Sequence, residues 1–359
     1  MKTSKQPWIL NPTYDLLCII SPPFICLAIL LLFAEYFQIH FEVNIIQWAI
    51  LVMLVDVAHV YSTLYRTYFD PIILTDRKTL LRTTPIILFL VSVVVYTLSP
   101  KFYWTVLAYT AVFHFIRQQF GFIRIYSRKE NISKYSKIID TLSIYSATLY
   151  PIIHWHCSGA KNFSWMIEND FKLFYFPQID FYLSIIYGII FISYVIKEGF
   201  WVLQMQRINI PKNLFMLGTY ISWYMGIVAY NSDLVFTMFN VLSHGIPYIA
   251  LVWMYQLKIH KPQQSVLSSK LFNTKNILIF LGSLFLFAYL EEYFWDVLVW
   301  KDHQSLFPFS AGSALSQNST LLSLIVPLLS LPQLTHYILD AYIWKTKSNE
   351  STWNKVLVK

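Results

Sequence analysis

Long apolar segments alternate with short polar gaps along the whole chain. A helix needs about 20 residues, at 1.5 Å rise per residue, to cross the hydrocarbon core of a bilayer. The pattern therefore predicts an all-α polytopic transmembrane helical bundle that forms a single domain over residues 1–359. Ten spans are predicted, at about 14–36, 43–65, 83–99, 102–119, 139–157, 179–197, 213–231, 234–257, 276–298 and 319–344.

Positive charge falls almost entirely into alternate gaps between these segments. Of the 27 Lys and Arg residues, only Lys101, Lys161, Lys172 and Lys301 lie in the other set of gaps. Short loops rich in Lys and Arg stay cytoplasmic, because their transfer across the bilayer against the membrane potential is unfavourable. The charge pattern predicts that both termini face the cytoplasm.

Composition excludes a soluble domain of ordinary make-up, since 56% of the residues are hydrophobic, 13% are charged and the mean hydropathy is +0.50. The net charge of +8 sits in short loops, which indicates contact with anionic lipid rather than with nucleic acid. Cys18, Cys26 and Cys157 support neither a disulfide framework nor a thiolate metal site. The first segment is too long for a cleaved signal peptide and is expected to remain as a helix.

Four even-numbered spans each contain one histidine, toward the cytoplasmic half or at mid-depth: His59, His114, His244 and His336. Ionisable groups inside a membrane are costly and usually face the interior of a bundle, so each is a candidate for function. Imidazole and carboxylate ligands suit iron, manganese or zinc. A buried hydrogen-bonded network that only fixes helix packing is the alternative.

Polar companions accompany these histidines at helical spacing. Asp56 precedes His59 by three residues, and Thr63 and Arg66 continue the same face. We expect the four histidines and Asp340 to be metal ligands, with Asp56 as a further ligand or as a group that orients one. Arg117, Gln118 and Asn240 are expected to bind a polar headgroup or to stabilise developing negative charge.

A second polar group is predicted near the opposite face of the membrane. Charges at span ends reach headgroups and water at little cost, so these residues are interpreted as solvated and dispensable. They are His154, His156, Glu291, Glu292 and Asp296.

Several motifs make the whole chain resemble an uncharacterised family of bacterial multipass membrane proteins. The resemblance implies a location in the bacterial inner membrane. The motifs are Trp8-Ile-Leu-Asn-Pro12-Thr-Tyr-Asp15, Asp56-x-x-His59 through Asp70, Phe113-His114 through Gly121, Asn240 through Pro247-Tyr248, and Gln333 through Trp344.

More distantly, the context of His244-Gly245 and the stretch from His336 to Asp340 resemble the Brp/Blh-type carotene-cleaving membrane dioxygenases. That resemblance implies a histidine-bound iron and an isoprenoid substrate. The leading hypothesis is an intramembrane, metal-dependent oxygenase, with iron as the expected metal, that acts on a lipid or isoprenoid. Two alternatives remain open: a proton-coupled or metal-ion transporter, and a haem-binding membrane protein.

The predicted topology can be tested by cysteine labelling in a chain whose three native cysteines are replaced by serine. Lys129→Cys is expected to react with a membrane-impermeant maleimide only after the cells are permeabilised, because its loop is rich in basic residues. Lys172→Cys is the matched control and is expected to react in intact cells. Labelling of residue 129 in intact cells would contradict the orientation.

Overall fold

The computed structural model describes residues 6–259, 276–307 and 319–344. Within these ranges the protein is all-helical, with 80% of its residues in helices and no strand. Both chain ends and residues 260–275, which include Lys261, Lys270 and Lys275, lie outside the described residues.

Eleven long helices are labelled in chain order. They are α1 (Pro22–Leu32), α2 (Ile45–Arg66), α3 (Lys78–Leu98), α4 (Pro100–Tyr126), α5 (Lys134–Cys157), α6 (Pro177–Met205), α7 (Ile210–Trp223), α8 (Asp233–Ile259), α9 (Ile277–Trp300), α10 (Ser319–Leu329) and α11 (Leu331–Ile343). Short helices occupy Pro12–Tyr14, Ala34–Ile39 and Pro71–Asp76. The backbone is π-helical over Asp15–Ile20, Ala49–Val57, Tyr224–Ala229 and Asp296–Trp300.

Each of the ten predicted spans overlaps one of these helices or a consecutive pair of them. Five helices are long and apolar enough to cross a membrane, namely α2, α3, α6, α8 and α9. The number rises to seven if each of two bent helix pairs counts as one span. The remaining predicted spans lie on α4, α5 and α7 with its π-helical continuation, so the number ten and the cytoplasmic termini stay predictions.

Two bends coincide with prolines. The helical stretch Pro12–Ile20 meets α1 at 58°, next to Pro22 and Pro23, and α10 meets α11 at 42°, next to Pro332. Proline removes a backbone donor and clashes with the preceding turn, which explains a break at these points. Pro151 and Pro247 instead lie inside α5 and α8, which continue through them.

Contact density divides the chain into two compact units. Unit 1 comprises residues 1–43 and 111–247, and unit 2 comprises residues 44–110 and 248–359. Two helices, α4 and α8, contribute residues to both units, because the division falls inside each of them.

In unit 1, a buried carboxylate fastens the segment that precedes α1. Asp15 accepts hydrogen bonds from the backbone N–H groups of Ile9 and Leu10 and from the hydroxyl of Tyr126 at the end of α4. Arg128 donates to the carbonyls of Pro7 and Trp8. Residues 7–15 are therefore tied to the end of α4 by hydrogen bonds to charged groups, which are stronger than neutral ones.

In unit 2, Arg66 joins the end of α2 to the end of α11. Its guanidinium is buried, donates to the carbonyl of Ile343 at 3.0 Å and lies 3.8 Å from Asp70. The rings of Tyr255 and Trp344 lie 3.9 and 5.1 Å from its central carbon. Arg66 thus has a packing role, in which cation–π contacts compensate for the loss of water around its buried guanidinium.

A glycine in α7 allows a close approach to α1, and its replacement should lower stability. A Cβ at Gly218 would lie 2.8 Å from Cγ of Pro23 and 3.3 Å from Phe24, and a proline ring has little freedom to move. Gly218→Ala is expected to cost about 1–3 kcal/mol. Thermal unfolding of the purified protein in detergent would measure this as a lower midpoint.

Gly188→Ala in α6 is the matched control, because a Cβ there meets nothing within 4 Å. It is expected to leave the midpoint unchanged or to raise it, since alanine favours helix more than glycine does. Equal midpoints for the two variants would show that the α1–α7 approach does not require glycine.

Candidate metal centre

Unit 1 contributes a histidine pair from two neighbouring helices. His114 of α4 and His244 of α8 are buried, and their ring centroids lie 5.0 Å apart. Phe115 stacks on the His244 ring at 3.5 Å, and the side-chain N–H of Gln118 donates to the His244 carbonyl at 2.9 Å. The Phe115 ring therefore fixes the orientation of the His244 imidazole, and Gln118 of α4 fixes the position of the His244 backbone.

Unit 2 contributes a second pair of the same kind. His59 of α2 and His336 of α11 are buried, and their ring centroids also lie 5.0 Å apart. The Tyr248 ring packs edge-on against both, at 5.8 Å from His59 and 5.0 Å from His336. An Oδ1 atom of Asp56 lies 3.6 Å from Nδ1 of His59.

With Asp340 ionised, a chain of hydrogen bonds in unit 2 places the proton of His336 on Nδ1. An ionised carboxylate only accepts, so the Tyr248 hydroxyl donates to Asp340. The Tyr248 oxygen can then only accept from Thr63, at 2.9 Å. Thr63 has a single hydroxyl proton, so its oxygen must accept from Nδ1 of His336, at 2.6 Å.

This direction of donation leaves the lone pair of His336 on Nε2. Trp344 also donates to Asp340, at 3.2 Å, which strengthens the acceptor end of the chain. A carboxylate that fixes the tautomer of an imidazole is a common arrangement behind metal ligands. Here the carboxylate acts through two hydroxyl groups rather than by direct contact.

The four histidines form a possible metal-binding cluster. Each offers one ring nitrogen, and the four nitrogens all lie within 4.8 Å of one another. Among the described residues, these four histidines are close enough together to act as ligands of one metal ion. The four histidines that the sequence predicts as ligands therefore lie together.

The carboxylates named with the histidines lie beside the cluster rather than within it. Asp340 is 3.9 Å from Nδ1 of His336 and accepts the hydrogen bonds of Tyr248 and Trp344. Asp56 is 3.6 Å from His59 and partly exposed. Both are therefore placed to orient a histidine.

The three other predicted site residues differ in their surroundings. Arg117 is exposed, donates to the hydroxyl of Tyr145 at 2.8 Å and lies 5.0 Å from the centroid of the Phe120 ring. Asn240 donates to the carbonyl of Phe236 at 3.0 Å. Gln118 donates to the His244 carbonyl, as described above.

Three buried oxygen atoms beside His244 have no hydrogen-bond partner among the described residues. Gln118 and Asn240 each use their amide nitrogen, which leaves Oε1 and Oδ1 as acceptors, and Ser243 offers its hydroxyl. These atoms suit the hydroxyl group of a ligand better than an anionic headgroup, because the amide oxygens can only accept.

The interpretation of the second polar group as solvated is wrong for Asp296, which is 1% exposed. The backbone after α9 folds back, so that the N–H of His303 donates to its Oδ1 at 2.7 Å. Glu291 and Glu292 are partly buried, and Trp295 donates to Glu291 at 3.4 Å. The five residues of the second polar group therefore do not share one environment.

His154 has partners that its sequence neighbourhood did not indicate. Its Nδ1 contacts the carboxylate of Asp180, and its Nε2 contacts Lys161. His156 instead packs near Phe171, with its Nδ1 at 2.6 Å from the Ile152 carbonyl.

Sequence reasoning missed Tyr248, although a signal was present. Tyr248 follows His244 by four residues and therefore lies on the same face of α8, one turn further along. Thr63 was placed on the correct face of α2, but its contact with His336 depends on two segments that are 273 residues apart.

No protein-family model, curated protein or solved structure matches this chain.

Proposed function

We propose that this chain is an intramembrane metal-dependent enzyme that uses iron to oxidise or cleave a lipid or isoprenoid substrate. The observation that carries the proposal is the convergence of four buried ring nitrogens, one from each of four helices, within 4.8 Å of one another. A packing network would not require four imidazoles at one point, because hydrogen bonds between pairs would satisfy it.

The donor set fits a borderline divalent metal. At a metal–nitrogen distance of about 2.1 Å, ligands of one ion lie about 3.4 Å apart in a tetrahedron and about 4.2 Å apart when opposite. The observed limit of 4.8 Å requires a movement of about 1 Å or less for the side chains to close on one ion. Nitrogen donors without thiolates favour iron, zinc, copper or nickel over calcium or magnesium.

The residues of the chain would hold and orient the metal. His336 would bind through Nε2, since its Nδ1 donates to Thr63. Asp340 would act through Tyr248 and Thr63, and Asp56 would orient His59. A bound iron with an open coordination position would supply oxygen or water activation at this point.

A haem group fits the cluster less well than a bare ion does. A porphyrin supplies four nitrogens of its own and leaves two positions for protein ligands. Four imidazole nitrogens within 4.8 Å of one another would therefore occupy space that the macrocycle needs.

An apolar substrate with a hydroxyl group suits the surroundings best. The histidines are buried between apolar helices, so the substrate would enter laterally from the bilayer. The acceptor oxygens of Gln118 and Asn240, which have no partner among the described residues, would be available to accept from a substrate hydroxyl. Arg117 is not assigned a role in binding the substrate, because its guanidinium contacts Tyr145.

Metal analysis and an absorption spectrum of the purified protein test the proposal. We expect about one iron per chain and no Soret band, and His114→Ala and His336→Ala should each remove most of the metal, because the remaining ligands leave an incomplete shell. His40→Ala is the control, since His40 is exposed. A Soret band would indicate haem, and little metal in the wild type would favour a transporter.

The variants also test whether the two histidine pairs share one ion. If His114→Ala removes the metal but His336→Ala does not, then the pair on α2 and α11 is not part of the site. The proposal of a four-histidine centre would then be wrong, even if the protein binds metal.

Tyr248 should tune the metal site without touching the metal. Tyr248→Phe interrupts the chain from Asp340 to His336 and is expected to weaken metal binding about 10- to 100-fold, because the tautomer of His336 is no longer fixed. Titration with a metal-buffered solution measures the change. Tyr289→Phe on α9 is the control, and equal affinities for both variants would contradict the role of the chain.

A further inference from the structure

Three titratable side chains in unit 1 form a connected row away from the histidine cluster. Nδ1 of His154 lies 3.0 Å from both carboxylate oxygens of Asp180, and Nε2 of His154 lies 3.2 Å from Nζ of Lys161. His154 is in the last turn of α5, Asp180 is in the first turn of α6, and Lys161 lies on the segment between them.

The carboxylate determines the protonation of this row. Because Asp180 only accepts, Nδ1 of His154 carries the proton, and Nε2 presents its lone pair to the lysine. A nucleophile that contacts a base, with the base oriented by a third group, is the arrangement by which enzymes activate weak nucleophiles. Here the nucleophile is a primary amine.

The surroundings favour the reactive form of that amine. Lys161 is partly buried, and this burial lowers the pKa of its ammonium group, although the charge of Asp180 opposes the shift. All three side chains keep some exposure, with 14% for His154 and 20% for Asp180, so a ligand can reach them.

The neighbouring segment indicates which molecules would come near. Phe174, Tyr175 and Phe176 precede α6 and are 57%, 67% and 49% exposed. Exposed aromatic side chains at the end of apolar helices insert into the interface between headgroups and acyl chains. A ligand that reaches Lys161 is therefore expected to be concentrated at that interface.

We propose that Lys161, His154 and Asp180 form a second reactive site, at which Lys161 forms an imine with a membrane-partitioned aldehyde. His154 accepts a proton from the Lys161 ammonium, and the free amine adds to the aldehyde carbon to give a carbinolamine. The imidazolium, stabilised by Asp180, then returns the proton to the departing hydroxyl group, so that the lysine ammonium and the aldehyde give a protonated imine and water. The step needs no metal and does not depend on the function proposed for the histidine cluster.

Reductive trapping of the full chain in detergent micelles tests this site. The protein is incubated with dodecanal and sodium cyanoborohydride at neutral pH, and the modified lysines are identified by peptide mass mapping. Lys161 is expected to be modified at least about tenfold faster than Lys172, which is exposed on the same segment, because Lys161 alone contacts a general base and proton transfer to a positioned base accelerates such steps.

The variants separate activation from simple exposure. His154→Gln is expected to slow the modification of Lys161 about tenfold or more, because the general base is lost. The reaction of Lys172 in that variant should be unchanged, and it serves as an internal control for folding. Equal rates at Lys161 and Lys172 in the wild type would overturn the proposal without any variant, and so would a normal rate at Lys161 in His154→Gln.

Discussion

The direction of hydrogen bonding from His336 to Asp340 is the constraint on which the arrangement of the candidate metal centre depends. Polar groups buried in an apolar interior must be satisfied, since each unsatisfied group costs kilocalories. Tyr248 and Thr63 satisfy one another only if every proton points toward Asp340. Three helices are thereby held in one register, and the same protons make Nε2 of His336 the nitrogen that can bind a metal.

The apolar helices differ in how much of their surface is buried inside the protein. In α8, 83% of the most apolar window is buried inside the protein, whereas the corresponding share of α6 is 6%. A helix that is apolar on all sides and buried belongs to a protein core, and an apolar helix that the protein leaves exposed is suited to contact with lipid. His244 and Tyr248 therefore lie on a core helix, where a polar side chain has few alternatives to the contacts that it makes.

The sequence alone predicted the helical fold and the four histidines, because both depend on local spacing. His59 and Thr63 could be placed on one face of α2, and Asp340 could be placed one turn from His336. The limits of the prediction lie where distant segments meet. Nothing in the spacing indicates that Thr63 contacts His336 or that Lys161 reaches His154. The solvation of Asp296 was misjudged because the backbone that returns to it after α9 has no periodic pattern.

The two histidine sites use the same chemistry and differ in their exposure. In each, a carboxylate places the proton of an imidazole on Nδ1 and leaves Nε2 as the acceptor, directly for His154 and through two hydroxyl groups for His336. His336 is 1% exposed, and its imidazole belongs to a group of four buried histidines whose ring nitrogens lie within 4.8 Å of one another. His154 is 14% exposed and faces an amine, so its lone pair can take up and return a proton. Burial rather than residue type thus separates a candidate ligand from a candidate base in this protein.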